Sequence, residues 1–303
     1  MNDDLSIKGA SSSTRPPRAS GAGRRARSLH KNHGPILALL DKLTGDDGEA
    51  TLGRLMQQPE CIDSLAAEIA SGASIERIRK RALTLDTMIS ELVEADFAYV
   101  GLPKEARDCD FRTGFETYLR PVLGKRAQGF AAIFERLDRH TRPFIVETGS
   151  LRIPDNWEGD GQSTFQFDWY ARTRHGSVFT IDINPASIDS ARRACSGTTS
   201  TILNDSVAAL HALGSVAGRP AALIYLDSFD LDLENPVPSA VHHAMEVMAA
   251  RRLIGEGTII CVDDFDVPPL GQGGKGLIVD QFMSSIGAEV VYSGYQKVWQ
   301  LSG

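Results

Sequence analysis

Acidic residues follow each of five apolar segments in the part of the chain after residue 143. One acid after a strand is ordinary, because Asp also caps helices and begins turns. Acids after five consecutive segments indicate a ligand-binding site, because the carboxyl ends of parallel strands meet at the edge of an α/β sheet where ligands bind. The pattern predicts a polar site at that edge, formed by Glu147, Asp182, Asp205, Asp227, Asp263 and Asp264.

Glycine and hydroxyl residues follow the first of these segments. Gly149 comes just after it, and a glycine there lets the backbone approach a cofactor closely. Gly161 leads into Ser163 and Thr164, whose hydroxyls and nearby helix N-terminal amides suit a carboxylate. The two glycines are separated by residues 150–160, an insertion where the usual glycine-rich turn needs only a few residues.

This insertion, residues 150–160, is polar and aromatic. We interpret it as a lid over cofactor or substrate, with Trp157 as a side chain that could stack on the ligand. The alternative is a surface loop whose tryptophan packs locally.

The surrounding elements alternate between strands and helices. Strands are predicted at 144–146, 177–181, 201–203, 222–226 and 258–262, and helices at 165–174, 185–195, 206–213 and 238–253. Uninterrupted apolar strands joined by crossover helices predict a parallel sheet covered on both faces. Segments 289–292 and 297–300 are close enough to pair as a hairpin. The predicted fold class is α/β: a doubly wound, mostly parallel seven-stranded sheet ending in an antiparallel hairpin, with a helical N-terminal region.

The part of the chain before this sheet has a different composition. The first 34 residues hold seven basic and two acidic side chains, and a segment so poor in apolar residues is predicted to be a disordered arm. Residues 35–140 are predicted to be helical, because apolar residues recur at helical spacing. The helices expected there run through Ile62–Ile69, from Ser74 to Asp96 and from Arg126 to Arg139.

The helical region is interpreted as a substrate cap, a homodimerisation element or both. The predicted domains are a basic arm, this helical region and a ligand-binding sheet domain, with the boundaries 1–34, 35–140 and 141–303.

Composition narrows the class of protein. The 303 residues carry a formal net charge of −7, which argues against a broadly basic nucleic-acid binder. Apolar stretches such as 221–226 fall far short of the ~20 residues of a membrane span. We expect no secretory signal, because the N-terminus opens with Met-Asn-Asp-Asp. The four cysteines have neither zinc nor redox spacing. These features predict a soluble, cytoplasmic protein.

Several motifs together resemble one protein family. They are Glu147-x-Gly149 with Gly161-Gln162-Ser163-Thr164, then TIDINP at 180–185, Tyr225-Leu226-Asp227 and GTIICVDD at 257–264. With the terminal hairpin, they make residues 143–303 resemble a class I S-adenosylmethionine-dependent methyltransferase. The resemblance is strongest to the divalent-metal-dependent small-molecule O-methyltransferases of the catechol and macrocin types.

This resemblance implies a cofactor, a metal and the residues that hold them. S-adenosylmethionine would be bound by Glu147, Thr148, Gly149, Gly161, Ser163, Thr164, Asp182, Asp205 and Ser206. Asp182 would accept hydrogen bonds from the ribose hydroxyls, and Asp205 or Ser206 would lie by the adenine. The metal ligands would be Asp227, Asp263 and Asp264. Mg²⁺ or another divalent cation prefers such oxygen ligands, and it would ease the deprotonation of a bound substrate hydroxyl.

The residue expected to act as general base differs from that of the catechol-type enzymes. There, a lysine three residues after the aspartate of the fourth strand does this work, and here Asp230 stands at that position. Asp230, Asp232, His242 and His243 are candidates, since each could accept a proton if it reaches the site. The predicted catalytic residues are Asp227, Asp230, His242 and His243. His242 and Glu246 are four apart on a predicted helix, so they could share a face.

Residues 271–276, with the sequence GQGGKG, resemble a phosphate-binding loop only superficially. A P-loop needs Ser or Thr after the lysine, and here a glycine follows it. We interpret the segment as a mobile loop near the site. Lys275 is expected to be solvated in preference to contacting an anionic substrate.

The motifs predict an S-adenosylmethionine-dependent and Mg²⁺-dependent O-methyltransferase. Its substrate would be a hydroxylated small molecule, such as a specialised metabolite or its sugar. One alternative is an NAD-type Rossmann oxidoreductase, which is disfavoured because the glycine turn lacks the G-x-G-x-x-G pattern. A second alternative is a non-catalytic or hydroxylase-associated relative that keeps the fold. The long turn between Gly149 and Gly161 and the absence of a lysine at position 230 favour this alternative.

Overall fold

The computed structural model describes residues 55, 59–74, 76–78, 80–82 and 94–302. Within this part of the chain, helix α1 (Pro59–Ala70) matches the helix predicted through Ile62–Ile69. It ends before Gly72, whose φ of +76° is left-handed and stops a helix.

Two further predictions, the N-terminal arm and the helix from Ser74 to Asp96, fall wholly or partly outside the described residues. The predicted arm, residues 1–34, lies outside the described residues. Of the helix predicted from Ser74 to Asp96, residues 76–78 and 80–82 are helical, 94–96 are not, and 83–93 are outside the described part. The domain boundaries and the homodimer stay predictions.

The described elements after residue 94 are as follows. Before the sheet come α2 (Lys104–Arg107), α3 (Phe111–Gly114), a π-helical turn (Phe115–Leu119), a 3₁₀ turn (Gly124–Arg126) and α4 (Ala127–Leu137). The strands of the main sheet are β1 (Phe144–Thr148), β2 (Ser177–Asp182), β3 (Thr199–Leu203), β4 (Leu223–Leu226), β5 (Ile259–Val262), β8 (Glu289–Ser293) and β9 (Lys297–Gln300). Two short strands, β6 (Asp266–Val267) and β7 (Gly271–Gln272), pair separately. The remaining helices are α5 (Trp157–Asp160), α6 (Ser163–Thr173), α7 (Pro185–Ala194), α8 (Ser206–Val216), α9 (Val237–Ala249) and α10 (Leu277–Ser285), with 3₁₀ turns at Ala250–Arg252 and Gly274–Gly276.

The strands of the main sheet lie in the order β3-β2-β1-β4-β5-β9-β8. The first five pair in parallel, and β9 is antiparallel to both β5 and β8. The strand order reverses between β1 and β4, which are neighbours in the sheet. This is the switch point at which doubly wound sheets bind ligands. The predicted doubly wound, mostly parallel seven-stranded sheet with a terminal antiparallel hairpin is confirmed.

Helices cover both faces of the sheet, which is why its central strands are apolar throughout. On one face, the ring of Phe111 lies 4.5 Å from that of Phe134 in α4 and 5.1 Å from that of Tyr170 in α6. On the other face, α8, α9 and α10 bury side chains that include Leu210 and Val247. The helix predicted from Arg126 to Arg139 is confirmed as α4 and the turn before it, and it packs into the core of the sheet domain.

Some elements begin earlier than predicted or were not predicted. β3 begins at Thr199, two residues before the predicted 201, and α6 begins at Ser163. Helix α10 and the β6–β7 pair were not predicted. Helix α10 follows the Pro- and Gly-rich stretch 268–276, and the β6–β7 pair encloses the first residues of this stretch. The composition of the stretch indicates a loop when read locally. None of the helices in the described part of the chain is long and apolar enough for a bilayer crossing.

The buried carboxylate of Asp168 joins α6 to the start of β3. Its Oδ1 accepts hydrogen bonds from the hydroxyls of Ser196 and Thr199 at 2.9 and 2.7 Å. Its Oδ2 accepts the main-chain N–H of Ser196 at 3.0 Å. Three buried donors therefore depend on this one side chain.

We expect Asp168→Ala to lower the free energy of unfolding by at least ~2 kcal/mol, because an unsatisfied buried donor costs about 1–3 kcal/mol. Urea unfolding followed by circular dichroism measures this change. The control is Asp189→Ala on α7, where the aspartate side chain is 75% exposed; its effect should stay within about 0.5 kcal/mol. Equal losses in the two variants would contradict the role of Asp168.

Candidate functional site

The turn after β1 brings the ends of β1 and β4 together. Gly149 has a φ of +84°, and a Cβ atom at this position would lie 2.4 Å from the carbonyl oxygen of Asp227. The N–H of Asp227 donates in turn to the carbonyl of Thr148 at 2.9 Å. The close approach that requires a glycine here is to the backbone of the neighbouring strand. Contact of Gly149 and Thr148 with a cofactor stays a prediction.

Glu147 is fully buried at the end of β1. Its Oε2 accepts hydrogen bonds from the hydroxyls of Thr164 and Thr180, both at 2.7 Å. The Thr164 hydroxyl also accepts the N–H of Leu151 at 2.9 Å. Burial raises the pKa of Glu147 to about 7, although the hydrogen bonds oppose this shift. Glu147 therefore fixes the turn and the start of α6, and its contact with a cofactor stays a prediction.

Asp182, at the end of β2, organises the main chain on the other side of the turn. Its Oδ2 accepts the N–H of Ser150 at 2.9 Å, and its Oδ1 accepts the N–H of Asn184 at 2.7 Å. Each carboxylate oxygen offers two lone pairs, so each keeps one for a further donor.

The carboxylates of Asp227, Asp263 and Asp264 meet at the ends of β4 and β5. They can each offer one oxygen such that these oxygens all lie within 4.8 Å of one another. The sequence predicted this juxtaposition, since parallel neighbouring strands end at the same edge. Burial raises the pKa of Asp263 to about 7. From here on, we call these three side chains the acid cluster.

Lys275 lies in the acid cluster and only 1% of the residue is exposed. Its Nζ is 2.5 Å from Oδ1 of Asp227 and 3.0 Å from Oδ2 of Asp264. Burial by itself would lower the pKa of Lys275, but the adjacent carboxylates raise it above its ordinary value. The expectation that Lys275 is solvated was wrong: its loop folds back against the end of β5, and the ammonium is ion-paired.

Arg126 is a second cation of the site, and no motif in the sequence indicated it as a site residue. Its Nε donates to Oδ2 of Asp263 at 2.8 Å, and its Nη1 donates to the carbonyl of Glu158 at 2.9 Å. Tyr295 donates from its hydroxyl to Asp264. A Cβ atom at Gly161 would lie 2.8 Å from Cδ of Arg126, so this glycine makes room for the arginine. An arginine near a helix start usually lies in solvent, so there was little reason in the sequence to place Arg126 in the site. The one local feature that could have indicated it is the glycine at 161, which leaves space for its side chain.

The acid cluster has the oxygen donors that Mg²⁺ prefers. Its fit to a divalent ion is nevertheless poor, because each carboxylate already pairs with an internal cation and Lys275 bridges two of the three. A metal ion would have to displace this buried ammonium. The residues present therefore do not fit a resident divalent ion.

The two candidate histidines on α9 have different environments. The Nε2 of His242 is 3.0 Å from the hydroxyl of Ser206 and 3.5 Å from Oε1 of Glu246. The hydrogen bond with Glu246 raises the pKa of His242. His243 is fully buried, its Nδ1 is 2.7 Å from the carbonyl of Ser239, and burial lowers its pKa to about 4. The predicted shared face of His242 and Glu246 is confirmed, and His243 is enclosed in the core.

Asp230 is exposed and pairs with Arg152 at 2.9 Å. Asp232 accepts the N–H of Glu234 at 2.8 Å and thus holds its own loop. Asp205 caps α8 by accepting the N–H of Ala208 at 2.9 Å. These aspartates have local structural contacts, and their catalytic or adenine-binding roles stay predictions.

The insertion at 150–160 folds into a turn and the short helix α5. The side chain of Trp157 is 5% exposed, and its indole N–H donates to the carbonyl of Val100 at 2.8 Å. Its ring meets Phe165 edge to face with centroids 6.2 Å apart. Of the two interpretations, local packing of the tryptophan is the one that the structure shows, and a stacking role on a ligand was wrong.

No protein-family model and no curated protein matches this chain. Among solved structures, it is similar to the MycE methyltransferase from the mycinamycin biosynthetic pathway in complex with Mg, SAH and mycinamycin VI, with 13% identity and a TM-score of 0.40. That similarity covers 66% of this chain and 54% of MycE, so the chain spans about half the length of that protein.

Two other similar structures are covered over almost their whole length. One is an O-methyltransferase from Bacillus cereus in complex with SAH, with 13% identity, a TM-score of 0.40, and coverage of 72% of this chain and 97% of that one. The other is CalS11, a TDP-rhamnose 3'-O-methyltransferase of calicheamicin biosynthesis, with 13% identity, a TM-score of 0.41, and coverage of 73% and 95%. All three of these similar structures are methyltransferases.

The buried Glu147 predicts a pH dependence of stability. Its pKa is about 7 in the folded chain against an ordinary 4.5, so between these values the folded state holds a proton that the unfolded state has lost. Stability from this group is complete below pH ~4.5 and is lost as the pH rises towards 7. At ~1.4 kcal/mol per pKa unit, wild type should lose about 2–3 kcal/mol more than Glu147→Gln between pH 5 and 8.

Urea unfolding of both proteins across this pH range measures the difference. Glu158→Gln, which changes an exposed glutamate, should keep the wild-type profile. Parallel profiles of wild type and Glu147→Gln would show that Glu147 does not hold a proton in the folded chain.

Proposed function

We propose that this chain is an S-adenosylmethionine-dependent methyltransferase whose acceptor is a hydroxylated small molecule, such as a specialised metabolite or its sugar. The observation that carries this proposal is the arrangement at the switch point between β1 and β4. The Gly149 turn, the buried Glu147 and the main-chain bonds of Asp182 lie there together at the carboxyl ends of adjacent strands. Doubly wound sheets bind their ligands at this place.

The cofactor side of the site is assigned to β1, β2 and α6. Asp182 keeps a lone pair on each oxygen for a ribose hydroxyl, and the two N–H groups that it accepts hold its plane fixed. Glu147 holds Thr164 and so fixes the first turn of α6, an 11-residue helix. Amides at a helix N-terminus stabilise a carboxylate such as that of a methionyl group. The cofactor, when bound, supplies an electrophilic methyl group.

The acceptor side is assigned to the end of β4. The side chain of Asp227 is 18% exposed, whereas that of Asp263 is completely buried. Asp227 is therefore the carboxylate of this pair that an acceptor hydroxyl could reach and to which it could pass a proton. The ammonium of Lys275 beside it would stabilise negative charge that develops on the acceptor oxygen. Holding that oxygen in line with the methyl group contributes much of the rate in a transfer of this kind.

A thermal-shift measurement with S-adenosylmethionine, S-adenosylhomocysteine and NAD tests the cofactor. A ligand at 100 times its dissociation constant stabilises the folded state by ~2.7 kcal/mol, which raises Tm by several degrees. We expect a shift with both S-adenosyl compounds and none with NAD. A shift with NAD alone would favour the oxidoreductase alternative. Cofactor binding without transfer to any hydroxylated acceptor would favour the non-catalytic relative.

Asp182→Ala should weaken S-adenosylmethionine binding by at least about tenfold, because hydrogen bonds to a charged group contribute ~1.5–3 kcal/mol. Isothermal titration calorimetry measures the dissociation constant. Asp189→Ala is the matched control, since it removes an exposed aspartate from the helix that follows β2. Unchanged affinity in Asp182→Ala would place the cofactor elsewhere.

A further inference from the structure

We propose that Lys275 is the resident cation of the acid cluster and takes the place of a divalent metal. Its ammonium bridges Asp227 and Asp264, at 2.5 and 3.0 Å, from a side chain that is 2% exposed. The consequence is that methyl transfer proceeds without a divalent ion. The prediction about methyl transfer rests on the proposed function. The prediction that Lys275 excludes a metal ion does not, because it is tested by metal binding alone.

The backbone around Lys275 is shaped to deliver the side chain to this place. The N–H of Lys275 donates to the carbonyl of Asp264 at 3.2 Å. A Cβ atom at Gly274 would lie 2.0 Å from that same carbonyl oxygen, and one at Gly276 would lie 2.7 Å from Cδ2 of Phe265. The two glycines allow the loop to lie directly on the chain that follows β5. The lysine is therefore held by its main chain as well as by its ion pairs.

Two internal cations offset most of the negative charge of the cluster without a metal ion. Arg126 pairs with Asp263 at 2.8 Å and approaches Asp264 at 3.7 Å. Three carboxylates and two cations leave one formal negative charge. Cations next to buried carboxylates offset the cost of removing those charges from water. A divalent ion added to this set would leave a net positive charge, and so it would have to expel Lys275.

Removing the lysine would leave a set of oxygens suited to a metal ion. Oδ1 of Asp263 has no hydrogen-bond partner within the described part of the chain. It would join the oxygens of Asp227 and Asp264 that Lys275 now occupies. Three carboxylates with Arg126 carry two net negative charges, which one divalent ion neutralises, and hard oxygen donors suit Mg²⁺ and Mn²⁺.

The test is a titration of the full chain with Mn²⁺ after dialysis against EDTA, followed by electron paramagnetic resonance of the free ion. We expect wild type to bind no Mn²⁺ below about 1 mM, in the range of weak protein sites. Lys275→Met should gain one site per chain with at least about tenfold higher affinity than wild type. Lys275→Arg should behave like wild type, because it keeps the cation.

Lys297→Met is the matched control. It also removes an ion-paired lysine, whose Nζ is 2.6 Å from Oδ1 of Asp280, and should gain no Mn²⁺ site. One tight Mn²⁺ site in wild type would overturn the proposal, as would a folded Lys275→Met that binds no more Mn²⁺ than wild type. If Lys275→Met does not fold, the wild-type titration still decides.

Activity gives a second readout with the same wild-type protein. Methyl transfer should run at an unchanged rate in EDTA, and a loss of at least about tenfold that Mg²⁺ restores would overturn the proposal. The thermal shift with S-adenosylmethionine is measured on the same samples. A missing shift there would reject the proposed function, and the Mn²⁺ titration would still decide the role of Lys275.

Discussion

The pairing of three carboxylates with two internal cations is the constraint on which this site depends. Uncompensated buried carboxylates repel one another and raise each other's pKa. The positive charges of Arg126 and Lys275 offset the negative charges of the carboxylates. Arg126 comes before β1 in the chain, and Lys275 comes after β5. The helical segment before the sheet and the glycine-rich loop near the end of the chain are thereby tied to the same edge of the sheet.

This requirement explains why the segment before β1 belongs to the core. The turn that carries Arg126 leads directly into α4, whose aromatic side chains pack against α6 and the sheet. Placing the guanidinium against Asp263 therefore needs both the aromatic packing and the space at Gly161. The same packing buries Trp157, so the insertion between the two glycines stabilises the wall of the site through its own tryptophan.

Close contacts of glycine with neighbouring backbone recur around the site. Gly149 lies against the carbonyl of Asp227, and Gly274 lies against the carbonyl of Asp264. In both places, the main chain of one segment touches the end of another strand, and a side chain would separate the two. The carboxylates come together because their backbones do. The main-chain bonds of Asp182 and the hydroxyl bonds of Glu147 then hold the turn beside them.

The sequence by itself determined the order along the chain of the seven main-sheet strands and of helices α6 to α9, the terminal hairpin, and the edge at which Glu147, Asp182 and the acid cluster lie. Hydrophobic periodicity is local, and strand ends can be read directly from it. The sequence left open which cations form ion pairs with the carboxylates. Arg126 and Lys275 are distant from most of these carboxylates in the chain, and by residue type they are expected at the surface. Only the tertiary structure brought these side chains together, since long-range packing decides whether a charged residue is solvated or ion-paired.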